Sequence, residues 1–168
     1  DPIGNMFATF ALAPGTDSAV LAGSHLDSQP TGGRYDGAYG VLAALAAASD
    51  IARNPPPGAR HNLTVVNWTN EEGARFQPSL TGSSVYVGAL PLADALALED
   101  RAGTSLGAAL GTIGLRGDRP FPLRPVRYVE LHVEQGDRLE ADGVPIGVVT
   151  GVWSARKLTV SFLGEASH

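Results

Sequence analysis

The chain contains no cysteine, and this absence limits the chemistry that it can use. Without cysteine there is no disulfide framework, no thiolate nucleophile and no zinc site of the cysteine type. Any metal ion must therefore be bound by imidazole nitrogen and carboxylate oxygen, the ligand atoms of histidine, aspartate and glutamate.

The chain also lacks a basic block and an apolar run long enough to span a membrane. Twelve basic residues against 17 acidic ones give a net charge of -5, which argues against nucleic acid as a partner. No signal peptide is recognisable, so we expect a cytoplasmic protein with no membrane partner, although the sequence starts at Asp1 and an N-terminal address can have been removed. Because 43% of the 168 residues are hydrophobic, we expect a globular domain with a sizeable core.

A strand and a helix organise the first third of the chain. Residues 19–23 form a short apolar run flanked by glycine and serine, which is typical of a buried strand, and His25 and Asp27 follow at its C-terminal end. An alanine-rich helix is predicted over residues 37–53. Asp36 stands just before it, where a carboxylate complements the unpaired N–H groups of the first helical turn.

Residues 63–68 are β-branched and aromatic, so they predict a second buried strand and complete a βαβ unit. The length of the helical crossover makes the two strands parallel. The carboxyl ends of parallel strands lie at one edge of the sheet, which is where ligands bind. Glu71 and Glu72 follow the second strand, and we therefore expect them beside His25 and Asp36.

A third strand is predicted over residues 126–133, and it brings His132 and Glu134 to the same edge. Imidazole and carboxylate groups together suit a divalent ion, Zn²⁺ first among them. Asp36 is short and carries two oxygens, so it can bridge a pair of ions about 3.5–4 Å apart. The sequence thus predicts a metal site built from three strand ends.

Two further roles follow from spacing. Asp27 points the same way as His25 along an extended strand, so its carboxylate is placed to fix the tautomer of the imidazole. The neighbours Glu71 and Glu72 cannot both point at the same atom. One of them can bind a metal ion while the other stays free as a general base.

Each residue also has a purely structural interpretation. A single histidine at a strand end is more often a hydrogen-bonded structural or surface residue, and a pair of glutamates is usually a solvated turn. The site is favoured because all three clusters follow buried-looking strands. His61, by contrast, precedes its strand in a loop, so we expect it on the surface at the opposite edge.

The remaining predicted elements carry no chemistry. The run at residues 6–12 is predicted to be a strand that forms a hairpin with the strand at residues 19–23. Short helices are predicted over residues 83–90, 92–100 and 104–113 (capped by Thr104), a short helix or turn over residues 139–142, and strands over residues 146–151 and 157–163.

Four motifs, in order along the chain, resemble the dinuclear metallohydrolases of the M20 peptidase-like superfamily. They are Gly23-Ser24-His25-Leu26-Asp27-Ser28, Gly33-Arg34-Tyr35-Asp36-Gly37, Thr69-Asn70-Glu71-Glu72-Gly73-Ala74-Arg75-Phe76 and Glu130-Leu131-His132-Val133-Glu134-Gln135-Gly136. Within the superfamily they are similar to the hydantoinase/carbamoylase branch, which comprises N-carbamoyl-L-amino-acid hydrolases, β-ureidopropionases and allantoate amidohydrolases. The last motif is the most telling, since M20 peptidases tend to carry a carboxylate ligand where this chain has His132.

The resemblance implies an α/β fold, namely a three-layer sandwich around a central, mostly parallel sheet. It implies that residues 1–150 are the N-terminal part of a dinuclear-metal catalytic domain and that residues 151–168 begin an inserted α+β lid and dimerisation domain. The family's remaining metal ligand and the residues that grip the substrate carboxylate lie beyond the position of His168. We therefore expect the chain to be the N-terminal part of a longer protein and to be inactive alone.

The resemblance also implies the roles of the site residues. Two divalent ions, Zn²⁺ or else Mn²⁺, Co²⁺ or Ni²⁺, are expected on a ligand set in which one carboxylate bridges. The ligands are His25, Asp36 (bridging), Glu72 and His132; Glu71 is the general base, Gln135 contacts substrate, and His168 stabilises the developing oxyanion, in the active site of the partner subunit.

The function implied is hydrolysis of a linear amide or ureido C–N bond in a small molecule, foremost an N-carbamoyl-L-amino acid, by a homodimer. Allantoate and β-ureidopropionate are alternative substrates within the branch, and exopeptidase or deacylase activity is more distant. An alternative of another class is a non-catalytic scaffold or a partial gene product. Glu71 argues against a binding scaffold, because such a protein has no use for a base.

Overall fold

A computed structural model describes residues 1–121, 124–153, 158 and 160–165. The chain forms two compact units, Asp1–Val133 and Glu134–His168. The elements are β1 (Met6–Phe10), β2 (Ser18–His25), α1 (Ala38–Arg53), β3 (Asn62–Trp68), α2 (Thr81–Tyr86), α3 (Leu92–Leu96), α4 (Leu106–Thr112), β4 (Arg124–Val129) and α5 (Arg138–Ala141). No helix in the described ranges has both the length and the apolar character needed to cross a membrane.

The first unit is built on a four-stranded sheet in the order β1-β3-β2-β4. Strand β2 pairs in parallel with β3, from Ala19 opposite Asn62 to His25 opposite Trp68, and also pairs in parallel with β4. The α/β class and the mostly parallel sheet are therefore confirmed. Because three neighbouring strands run the same way, their carboxyl ends lie at one edge.

The predicted hairpin between the first two strands is wrong. Strand β1 pairs antiparallel with β3, which lies between β1 and β2. Asn62 holds this arrangement, because its side-chain oxygen accepts hydrogen bonds from the N–H groups of Leu12 and Ala13, both at 2.9 Å, and its amide donates to the carbonyl of Thr16 at 2.9 Å. The connection between β1 and β2 thus passes around the start of β3 instead of making a tight turn.

Other boundaries also differ from the prediction. The cap of α4 is Ser105 rather than Thr104, since the Ser105 hydroxyl accepts from the N–H of Ala108 at 3.1 Å. Strand β4 ends at Val129 and not at residue 133 as predicted, so His132 lies beyond the strand. Residues 146–151 form no strand, and their apolar side chains are exposed without a partner strand among the described residues. Of the predicted strand at 157–163, Lys157 and Thr159 lie outside the described residues and the rest show no strand.

Helix α1 packs against β2 and β3, and Gly40 lies in close contact with Ser24 of β2. A Cβ atom added at Gly40 would lie 2.5 Å from the carbonyl oxygen of Leu131 and 2.7 Å from the Cβ of Ser24. These distances are shorter than van der Waals contact, so only glycine fits without displacing backbone. The glycine therefore fixes the spacing between the helix and the strand that ends in His25.

We expect Gly40→Ala to destabilise the protein by about 1–3 kcal/mol through overpacking, although alanine is the better helix former. Gly111→Ala in α4 is the matched control, because nothing lies within 4 Å of a Cβ added there. The control should be neutral or stabilising, by up to about 1 kcal/mol. Urea unfolding followed by tryptophan fluorescence measures both. Equal effects of the two substitutions would contradict the close-packing explanation.

Candidate metal and catalytic site

His25 is the last residue of β2, and its side chain is only 1% exposed. Its Nδ1 lies 2.8 Å from the carbonyl oxygen of Asp27. A carbonyl only accepts, so Nδ1 carries the proton and Nε2 keeps its lone pair. That Nε2 is buried and has no hydrogen-bond partner among the described residues. A buried acceptor left unsatisfied costs about 1–3 kcal/mol, and a bound cation would satisfy it.

Asp27 acts differently from the prediction. Its carboxylate lies 3.7 Å from Nδ1 of His25, so the backbone carbonyl, not the carboxylate, holds the imidazole. The two carboxylate oxygens instead accept the backbone N–H groups of Glu71 and Glu72, each at 3.1 Å. Asp27 therefore ties the end of β2 to the turn that follows β3, and this turn presents both glutamates to the site.

The carboxylate of Asp36 lies between the two histidines of the site. Its Oδ1 is 3.1 Å from Nε2 of His132 and 3.9 Å from Nε2 of His25. The N-cap position of α1 is Gly37, so Asp36 lies one residue before the cap. The connection needs glycine at this point: Gly37 has a φ of 69°, and an added Cβ would overlap the imidazole of His25.

His132 lies beyond the end of β4 and its side chain is 40% exposed. Its Nδ1 is 2.8 Å from the carbonyl oxygen of Val133, so its Nε2, like that of His25, faces the site as an acceptor. One ligand atom from each of His25, Asp36 and His132 can be chosen so that all three lie within 4.8 Å of one another. This is the spacing of three ligands around one ion.

Glu71 and Glu72 form a second group with His25 whose ligand atoms also lie within 4.8 Å of one another. Oε2 of Glu71 is 3.4 Å from Nε2 of His25. Burial is the largest cause of a raised pKa of Glu71, which the nearby carboxylates of Glu72, Asp27 and Glu130 raise further and the His25 imidazole opposes. A carboxylate with a raised pKa is suited to accepting and returning a proton near neutral pH.

Glu72 is held by a residue that sequence reasoning did not identify. The amide of Gln29 donates to Oε2 of Glu72 at 3.2 Å and to its backbone carbonyl at 3.1 Å. The one available signal was the position of Gln29 in the polar loop directly after the first strand. By keeping one oxygen of Glu72 occupied, this contact orients the carboxylate.

The other predicted residues divide into three cases. His61 is exposed in front of β3, with its Nδ1 2.8 Å from the hydroxyl of Ser18, which confirms the surface position at the opposite edge. Gln135 belongs to the second unit, Glu134–His168. His168 lies outside the described residues.

Taken together, the donors at this edge fit a divalent cation. The set is nitrogen and carboxylate oxygen, which borderline ions such as Zn²⁺ prefer. The most buried donor, Nε2 of His25, directs its lone pair at the group and has no hydrogen-bond partner in the part of the chain that the structure describes. Two carboxylates within 3.9 Å of that nitrogen supply negative charge.

Comparison with known proteins agrees with the architecture. The model of peptidase family M20/M25/M40 matches residues 21–167. An N-carbamoyl-L-amino-acid amidohydrolase of Rhizobium meliloti is 45% identical over 172 residues, which cover 100% of this chain and 40% of that protein. An allantoate amidohydrolase of Bacillus subtilis is 35% identical over 171 residues, covering 100% and 41%.

Solved structures give the same relationship. A hydantoinase/carbamoylase family amidase from Burkholderia ambifaria matches with a TM-score of 0.77 and 48% identity, over 85% of this chain and 35% of that one. The chain thus spans about two fifths of the length of the two amidohydrolases named above, 40% of one and 41% of the other. With the family match over residues 21–167 and an α/β sheet shared with these amidases, the chain belongs to peptidase family M20/M25/M40, among its hydantoinase/carbamoylase relatives.

Proposed function

We propose that the full-length protein containing this chain is a metal-dependent amidohydrolase that cleaves the linear C–N bond of N-carbamoyl-L-amino acids. The observation that carries the proposal is the buried Nε2 of His25, which has no hydrogen-bond partner among the described residues and lies 3.4 Å from Glu71 and 3.9 Å from Asp36. A protein that only needed a stable core would not leave this acceptor facing two carboxylates.

The proposed ligands divide between two ions. His25, Asp36 and His132, whose ligand atoms lie within 4.8 Å of one another, would hold one ion. The family resemblance adds Asp36 and Glu72 as ligands of a second ion. Divalent ions in such a site polarise the substrate carbonyl and lower the pKa of water. The hydrogen bond from Nδ1 of His25 to the Asp27 carbonyl selects the tautomer whose Nε2 lone pair is available to a metal ion, and the N–H contacts to the Asp27 carboxylate keep the Glu71–Glu72 turn in place.

Glu71 is the proposed general base. Its carboxylate accepts a proton from the attacking water, whose oxygen adds to the ureido carbonyl carbon. Glu71 then returns this proton to the leaving nitrogen of the amino acid as the C–N bond breaks. The products are the free amino acid and carbamic acid, which decomposes to ammonia and carbon dioxide. The raised pKa of Glu71, caused mainly by burial, supports both halves of this proton transfer.

Relatives support this choice of substrate. Identity is higher to the Rhizobium meliloti N-carbamoyl-L-amino-acid amidohydrolase, at 45%, than to the Bacillus subtilis allantoate amidohydrolase, at 35%. Allantoate is therefore the second candidate substrate. An assay of the full-length protein with both compounds distinguishes them.

The family resemblance also supports a domain organisation and an assembly. We propose that residues 1–150 belong to the catalytic domain and that residues 151–168 begin an inserted lid and dimerisation domain of a cytoplasmic homodimer. In this arrangement Gln135 contacts substrate and His168 stabilises the oxyanion in the partner subunit.

Replacing the proposed base tests the mechanism. We expect Glu71→Gln to lower kcat by at least about 10²-fold, because the amide cannot accept a proton, while the metal content stays at the level of the unmodified protein. Glu99→Gln, at an exposed glutamate, is the matched control and should retain full turnover. Steady-state assays and elemental analysis provide the two readouts. Substantial residual turnover in Glu71→Gln would remove this residue as the base.

Two histidine substitutions test the metal site. His25→Ala should abolish tight binding of Zn²⁺, since it deletes the buried ligand, whereas His61→Ala at the opposite edge should leave binding unchanged. Titration against a chromophoric chelator measures the affinity. Chelator treatment should also abolish turnover, and added Zn²⁺, Mn²⁺ or Co²⁺ should restore it. Equal Zn²⁺ affinities of the two variants would exclude the proposed site.

The raised pKa of Glu71 also predicts a stability effect in the metal-free protein. A carboxyl whose pKa is higher in the folded state favours folding only when protonated, so its contribution falls as the pH rises above the ordinary value of 4.5. Metal-free Glu71→Gln should therefore have a higher Tm than the unmodified protein at pH 7, and the difference should disappear near pH 4. Thermal unfolding at the two pH values measures it. A lower Tm of the variant at pH 7 would contradict the direction of the pKa shift.

A further inference from the structure

We propose that Glu130 is a positioning residue of the site, which acts with Ser24 and Tyr128 to hold the two ligand histidines at the spacing a metal ion needs. The inference rests on the proposed metal site and extends it to residues for which neither the motifs nor the ligand groups give a role. Its basis is a chain of hydrogen bonds that links the ends of β2, β3 and β4.

The carboxylate of Glu130 is held on both of its oxygens. The Ser24 hydroxyl donates to Oε1 at 2.5 Å, and the Tyr128 hydroxyl donates to Oε2 at 2.6 Å. The Tyr128 oxygen in turn accepts from the indole N–H of Trp68 at 3.0 Å. Hydrogen bonds to an ionised acceptor are the strong ones, and a carboxylate fixed at both oxygens has a single orientation. The burial of Tyr128 and its bond to Glu130 both raise the pKa of the phenol, so it remains a donor at neutral pH.

Each member of this network stands next to one cluster of the site. Ser24 directly precedes His25 on β2, Trp68 ends β3 three residues before Glu71, and Glu130 follows β4 two residues before His132. The network therefore connects the three strand ends that the sheet brings to one edge. A displacement of one strand end therefore changes the distances between the ligand atoms that the strand ends carry.

The segment that carries His132 needs such a link. The pairing between β2 and β4 ends at Ala22 opposite Val129, so the strand ladder stops before residue 130. The bond from Ser24 to Glu130 continues the connection beyond the ladder, and Ser24 itself is fully buried at 0% exposure. Because Nε2 of His132 lies 3.1 Å from Oδ1 of Asp36, the position of this segment sets the geometry of the ligand group.

Two tyrosine-to-phenylalanine substitutions test the proposal in the full-length protein. Tyr128→Phe removes the hydroxyl that bonds to Glu130 and that also contacts the indole N–H of Trp68 and the carbonyl oxygen of Gly23. Tyr86→Phe is the matched control, since both rings pack on Trp68, at centroid distances of 6.1 and 5.3 Å, but the buried Tyr86 hydroxyl has no hydrogen-bond partner among the described residues. The probe is Zn²⁺, titrated in competition with a chromophoric chelator.

We expect Tyr128→Phe to weaken Zn²⁺ binding about 10- to 100-fold, the usual effect of losing a contact that orients a metal ligand, and Tyr86→Phe to stay within about twofold of the unmodified protein. Ser24→Ala should weaken binding similarly. The double variant Ser24→Ala/Tyr128→Phe should show less than the product of the two single effects, because both act through one carboxylate. In turnover assays kcat should fall while KM is nearly unchanged.

Zn²⁺ affinity that is unchanged in both Tyr128→Phe and Ser24→Ala would overturn the proposal, as would equal losses in Tyr128→Phe and Tyr86→Phe, which would indicate ring packing. If Tyr128→Phe fails to fold, Ser24→Ala alone decides. The affinities also separate this inference from the proposed function. If the unmodified protein and its variants bind Zn²⁺ with the expected differences in affinity but the protein hydrolyses no N-carbamoyl amino acid, the proposed function is contradicted and the positioning role of Glu130 is supported. Absence of Zn²⁺ binding by the unmodified protein would contradict both proposals.

Discussion

The site depends on the parallel pairing of β2 with both β3 and β4. This register places the ends of three strands side by side, and each strand end is followed by ionisable residues. No single segment contains enough ligands for a metal ion, so the group exists only while the sheet is formed. The fold thus brings the ligands together, and the close contact of α1 with β2 at Gly40 keeps β2 in position.

Backbone carbonyls next to the site orient the two imidazoles and select their tautomers. The carbonyl of Asp27 directs the lone pair of His25 toward Asp36 and Glu71, and the carbonyl of Val133 does the same for His132. Bringing these carboxylates and the buried imidazole nitrogen together without a cation is unfavourable. All of the groups lose hydration, and the carboxylates repel one another. A divalent ion relieves both effects. The arrangement therefore fits the proposed cation site better than a purely structural cluster.

Sequence reasoning identified the βαβ unit, the shared edge and the grouping of His25, Asp36 and His132, because these follow from apolar runs and from the length of the crossover. The prediction failed where contacts between residues far apart in the sequence determine the structure. The pairing of β1 with β3 depends on Asn62, whose contacts to Leu12 and Ala13 span about fifty residues, at separations of 50 and 49. Likewise, the backbone carbonyl of Asp27 orients the His25 imidazole, where the prediction had assigned this role to the Asp27 carboxylate. Sequence spacing alone does not distinguish a contact to the carbonyl from one to the carboxylate.

The most direct test of the account is a crystal structure of the full-length protein grown with Zn²⁺, with the ion located by anomalous scattering. The account predicts an ion about 2.0–2.2 Å from Nε2 of His25, Nε2 of His132 and a carboxylate oxygen of Asp36. An ion bound elsewhere, or His25 with its Nε2 turned to a hydrogen-bond donor of the protein, would contradict it.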